Sequence, residues 1–196
     1  MSDQSASDQS GSAQSASEEF AADRSVRADV PVVAEVLRSG VVESRHRGSL
    51  VALGPDGREV LAVGAVNEPV FPRSSNKPLQ ATGMLEAGLD LAGEQLALAA
   101  SSHSGEPFHV RTAREILAGA GLQESALQTP PDWPLDDDAL LAHARAGGGP
   151  EPVLMNCSGK HAAMLATCVV NGWPLETYRE PDHPLQVAIR TTVERM

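Results

Sequence analysis

The chain has 196 residues, enough for one domain with a sizeable core. Its net charge of −11 excludes nucleic acid and anionic membrane surfaces as expected partners, and aromatic residues at 3% leave little for base stacking. No run of about 20 apolar residues reads as a membrane span, the N-terminus lacks a basic-then-apolar signal, and two cysteines make no disulfide framework, so a cytoplasmic location is expected.

Residues 1–28 open "MSDQSASDQSGSAQSASEEF", with 7 serines among the first 17 positions. Such a segment has too little apolar surface to fold, and a disordered, solubilising tail is expected. The globular part is expected over 29–196. In "VPVVAEVLRSGVVESRHRGSLVAL" β-branched residues alternate with polar ones, and "GPDG" (54–57) turns the chain into "REVLAVGAV", which predicts a β-hairpin. Beyond "NEPVFPRSS" the period becomes helical, with Leu79, Met84, Leu85, Leu89 and Leu91 on the expected inner face.

"QLALAA" (95–100) reads as a buried strand running into the polar loop "SSHSGE". Helices are predicted over 109–122, over "LDDDALLAHARAGGG" with acids at its start, and over 159–173, ended by Asn171-Gly172. The last helix, "HPLQVAIRTTVERM", has Pro184 in its first turn and no cap after Met196. Only three or so strands are available to cover these helices, so the chain is expected to be cut short. Cys157 and Cys168 stand roughly 16 Å apart along one predicted helix, too far to bridge.

Of 15 basic residues only Lys77 and Lys160 are lysines. A desolvated lysine can lose its proton and act as a base, which arginine cannot, so a rare lysine marks a site where only lysine works. Ser74 and Lys77 form a Ser-x-x-Lys pair at a helix start, where the amine reaches the hydroxyl and activates it. Arg73 beside it helps keep the lysine deprotonated. Lys160 follows Cys157 by the same spacing, and "NCSGKHAAM" adds Asn156 and His161. Cys157 and His161 read as a thiolate–base pair or as two metal ligands. In "SSHSGE", Ser101, Ser102, His103, Ser104 and Glu106 are all candidates. Cys168, His109, His143 and His183 read as structural.

"VFPRSSNKPLQ", "LALAASSHSGEPFHV", "NCSGKHAAML" and "PDHPLQ", in that order, resemble the signature blocks of the rhizobial-type (class 3) L-asparaginases, also called asparaginase II, over roughly residues 32–196. The resemblance implies an α+β fold like that of serine β-lactamases and penicillin-binding proteins, an antiparallel sheet flanked by helices. It implies an amidohydrolase converting L-asparagine to L-aspartate and ammonia, working as a homodimer. On this resemblance Ser74, Lys77 and Ser102 are catalytic, and Arg73, His103 and His161 serve the substrate. Cys157 and Lys160 are ligands of a zinc ion. The family pattern continues through a Gly-Cys segment with another zinc ligand and a further lysine, neither found in these 196 residues, so an incomplete zinc site is expected. The alternatives are a penicillin-recognising hydrolase or esterase, disfavoured by the lack of Ser-Asp-Asn and Lys-Thr-Gly elements, and a non-catalytic protein that binds a small ligand or metal.

Overall fold

A computed structural model describes residues 30–196, and the expected tail over 1–28 lies outside them. The chain divides into two compact units at Val70/Phe71. The first holds four antiparallel strands, β1 (Val32–Arg38), β2 (Val41–Arg47), β3 (Leu50–Leu53) and β4 (Glu59–Val63), paired as β1–β2 and β3–β4. The predicted turn at 54–57 closes the second pair. Gly57 N–H bonds the Gly54 carbonyl at 2.9 Å, and Gly54 N–H bonds Arg58 O at 2.8 Å. A turn not marked beforehand, Ser39-Gly40, splits the first extended segment into β1 and β2. Both residues take positive φ, +50° and +79°, as the hairpin turns that match strand twist require.

The second unit is helical, which makes the chain as a whole a mixed α/β protein. Its helices are α1 (Lys77–Glu86), α2 (Gly93–Ala99), α3 (Pro107–Gly119), α4 (Asp137–Arg145), α5 (Ser158–Asn171) and α6 (Pro184–Arg195). The segment expected as a strand, 95–100, is helix α2 instead. After Gly93, its residues 94–99 are all Ala, Leu, Glu or Gln, good helix formers, and none is β-branched. On α1 the predicted inner face is partly right. Met84 is fully buried and Leu89, just beyond the helix, is buried too, whereas Leu85 is 37% exposed.

Helix α5 is the hub, packing against α1, α2, α3 and α6. Every residue from Ala162 to Cys168 is buried, and the small side chains of this stretch let its neighbours approach closely. Gly172, at φ +66°, ends α5 in the left-handed conformation, and Trp173 N–H bonds back to the Cys168 carbonyl at 2.9 Å. Asp136 caps α4 by accepting from Ala139 N–H, and His183 caps α6 by accepting from Leu185 N–H. His183 is therefore structural, as are His143, bonded to the Gly149 carbonyl, and the unpaired, buried Cys168. Among the described residues no helix is long and apolar enough to cross a membrane.

Candidate active site

Lys77 begins α1 after a 3-10 turn over Arg73–Asn76, with Pro78 at the next helical position. Its side chain runs inward and is only 2% exposed. The Nζ atom donates to Ser102 Oγ at 2.7 Å and to the Ser101 carbonyl at 2.9 Å, both just past the end of α2. Ser102 itself is open to solvent. A buried amine thus stands behind an accessible hydroxyl.

The spacing argument had joined Lys77 to Ser74, and the structure joins it to Ser102. Ser74 sits exposed in the 3-10 turn, and its hydroxyl makes no hydrogen bond to the described residues. Arg73, before it, is exposed and holds φ +52°, a strained conformation for a non-glycine residue and one that clusters at functional sites. The Lys77–Ser102 contact spans 25 positions, beyond the reach of any local pattern.

The loop after α2 is fixed from below. His103 is 4% exposed, and its backbone N–H bonds the Asn156 carbonyl at 3.0 Å. Its Nδ1 accepts from Gly105 N–H at 3.2 Å, so the ring proton lies on Nε2 and points to Ser158 Oγ at 2.9 Å. Burial first, then the nearby His109 and Lys77, hold its pKa down at about 4, and the ring is neutral at ordinary pH. Both nitrogens are occupied, so His103, expected on the substrate side, braces the loop that presents Ser102. Glycine is needed at two of these contacts. A Cβ on Gly159 would lie 2.5 Å from Leu98 Cγ and 3.1 Å from the Leu98 carbonyl oxygen. At Gly105, φ +81°, it would lie 2.8 Å from Pro134 Cα.

The start of α5 supplies the other candidates. Cys157, its N-cap, donates from Sγ to Asn156 Oδ1 at 3.1 Å. Lys160 lies three positions on. Burial lowers its pKa, Cys157 opposes that shift, and the charge of Lys77 adds to it. The His161 pKa is pushed to about 3, by burial first and then by Lys160, Arg179 and Lys77. Lys160, Arg179 and Lys77 thus all act on His161, basic residues gathered in a chain of net charge −11.

Tyr178 completes the group and was missed at the sequence level. It is fully buried, and its hydroxyl lies 2.8 Å from His161 Nδ1. The one available signal was rarity, since it is the only tyrosine of the chain.

The resemblance names Cys157 and Lys160 as zinc ligands, and no group of three or more His, Cys, Asp or Glu side chains that could hold a metal occurs among the described residues. Two donors do not make the three-ligand set that a protein zinc site needs. A cleft of about 500 Å³ between α2 and α3, lined by Leu98, Ser101, Phe108, His109 and Arg111, reaches the cluster at Ser101 and at His109, which stacks on His103. It contains neither Lys77 nor Ser102 and is not the site of this chemistry.

The chain is a mixed α/β protein in which a buried lysine amine donates to an accessible serine hydroxyl. The family model of L-asparaginase II matches residues 34–196, and the chain belongs to that family, hydrolases acting on the amide of asparagine. No curated protein matches the chain significantly.

Proposed function

We propose that the chain hydrolyses L-asparagine to L-aspartate and ammonia, with Ser102 as nucleophile and Lys77 as its base. The reading rests on one observation, the 2.7 Å contact between the Lys77 amine and the Ser102 hydroxyl. In the amine form, one N–H stays on the Ser101 carbonyl while the lone pair takes the proton of Ser102 Oγ. The alkoxide attacks the carboxamide carbon, the protonated amine passes a proton to the departing nitrogen, and ammonia leaves. Water, deprotonated by the same lysine, then cleaves the β-aspartyl ester. Ser74, in the turn that leads into Lys77, is the alternative nucleophile of the Ser-x-x-Lys pair.

The cations around the site favour an anionic substrate. Lys160 and Arg179, with the exposed Arg73, offer partners for the α-carboxylate of asparagine, and His161 offers a neutral donor. A cytoplasmic setting goes with this reading and is supported by two unpaired cysteines. The homodimer is carried over from the family resemblance.

Ammonia release from asparagine tests the proposal. Lys77→Arg keeps charge and bulk but removes the base, and should lower kcat by about 10²- to 10⁴-fold. Ser102→Ala should do the same, with Ser74→Ala retaining more activity. The reverse order of the two serine variants moves the nucleophile to Ser74. Near-normal turnover by Lys77→Arg removes the lysine from the chemistry altogether.

A further inference from the structure

Tyr178 stands outside every motif that marks the site, yet its hydroxyl is wedged between two elements of it. It accepts from the backbone N–H of Gln128 at 3.2 Å and lies 2.8 Å from His161 Nδ1, with the two rings nearly perpendicular at 78°. Its own carbonyl receives Gln186 Nε2 at 2.8 Å, and the Gln128 side chain ties Glu176 O to Arg179 Nε. The residue is thus held from both chain directions.

A phenol hydroxyl has a single proton. One lone pair is engaged by Gln128 N–H, and the side chain is completely buried, with His161 Nδ1 the one acceptor within hydrogen-bonding distance among the described residues. Were Nδ1 protonated instead, two donors would converge on the phenol oxygen and the phenol proton would be buried without a partner, a costly arrangement. His161 Nε2, for its part, makes no hydrogen bond to the described residues.

We propose that Tyr178 is a positioning residue: its hydroxyl donates to His161 Nδ1, fixing the ring as the tautomer with hydrogen on Nε2 and aiming that N–H, as a neutral donor, at the substrate. The geometry alone sets the tautomer. The use of the Nε2 hydrogen rests on the amidohydrolase reading above.

Nitrogen-15 NMR of histidine-labelled protein reads the tautomer without substrate, the His161 signals being identified by their loss in His161→Gln. The native ring should show a protonated Nε2 and an acceptor Nδ1, and Tyr178→Phe should move the Nδ1 resonance. In kinetics on asparagine, Tyr178→Phe should raise KM about three- to tenfold while kcat changes less than twofold, because the ring is aimed at the bound substrate and not at the proton-transfer step. A hydrogen on Nδ1 in the native protein, an Nδ1 resonance unmoved in Tyr178→Phe, or a loss confined to kcat overturns the proposal. A native chain with no asparaginase activity would sink the amidohydrolase reading alone, since the tautomer is measured on the free protein.

Discussion

A lysine used as a metal ligand must lose its proton, and the surroundings of Lys160 pull in both directions. Burial lowers its pKa, and the neighbouring Cys157 pulls the other way. The Cys157 thiol is meanwhile engaged with Asn156 Oδ1. Zinc would have to displace that contact, deprotonate two groups and find a third ligand, each step opposing binding near neutral pH. We therefore expect the 196-residue chain to retain well under one zinc per molecule after dialysis, measured by metal analysis, and Cys157→Ser to leave its thermal stability nearly unchanged. One zinc retained per chain, lost in Cys157→Ser, would show that further donors complete the site.

At the scale of elements, the site depends on how closely α5 approaches α2. Gly159, in the first turn of α5, faces Leu98, so any side chain there must push the two helices apart or force Leu98 aside. Gly159→Ala should cost about 1–3 kcal/mol from overpacking, offset by about 1 kcal/mol of better helix propensity. Activity should fall further than stability does, because α5 carries Lys160 and His161 while the end of α2 carries Ser102. Urea unfolding and ammonia release, measured side by side, check this; equal stability and full activity would show that the contact yields freely. Much of this layout was legible beforehand. Caps, prolines and glycines fixed α4, α5 and α6 to within a few residues, since those signals are local. Segment 95–100 was misread because a six-residue apolar run has no period to separate strand from buried helix. Lys77 stood out by its rarity and Ser102 by the family resemblance, but the contact that joins them across 25 positions is made only by the fold. The pairing of Tyr178 with His161, 17 positions apart, left no local pattern.

For the whole molecule, the interior charge balance sets an acid limit on stability. His103 is packed among Lys77 from α1, His109 from α3 and Ser158 from α5, with Glu106 lying 3.8 Å from His109 Nδ1 and not against His103 itself. Protonating it would put a cation beside the Lys77 amine and turn Nδ1 into a donor facing the Gly105 N–H. Its folded pKa of about 4 lies below the ordinary value of 6.5. Above 6.5 both folded and unfolded chains carry the ring neutral, and this group adds no pH dependence. Between 6.5 and about 4 the unfolded chain takes a proton that the folded chain refuses, so stability falls as pH falls. The slope approaches about 1.4 kcal/mol per pH unit, and the loss between pH 6.5 and 5 amounts to about 1.6 kcal/mol. Below about 4 both states are protonated and the contribution levels off. Urea midpoints of the native chain and of His103→Gln, compared at pH 7.5, 6 and 5, isolate the effect. Glutamine does not titrate, so the variant should start less stable at pH 7.5 and lose less on acidification. Parallel losses in the two proteins would assign the acid sensitivity to other groups and leave His103 as a brace without a charge role.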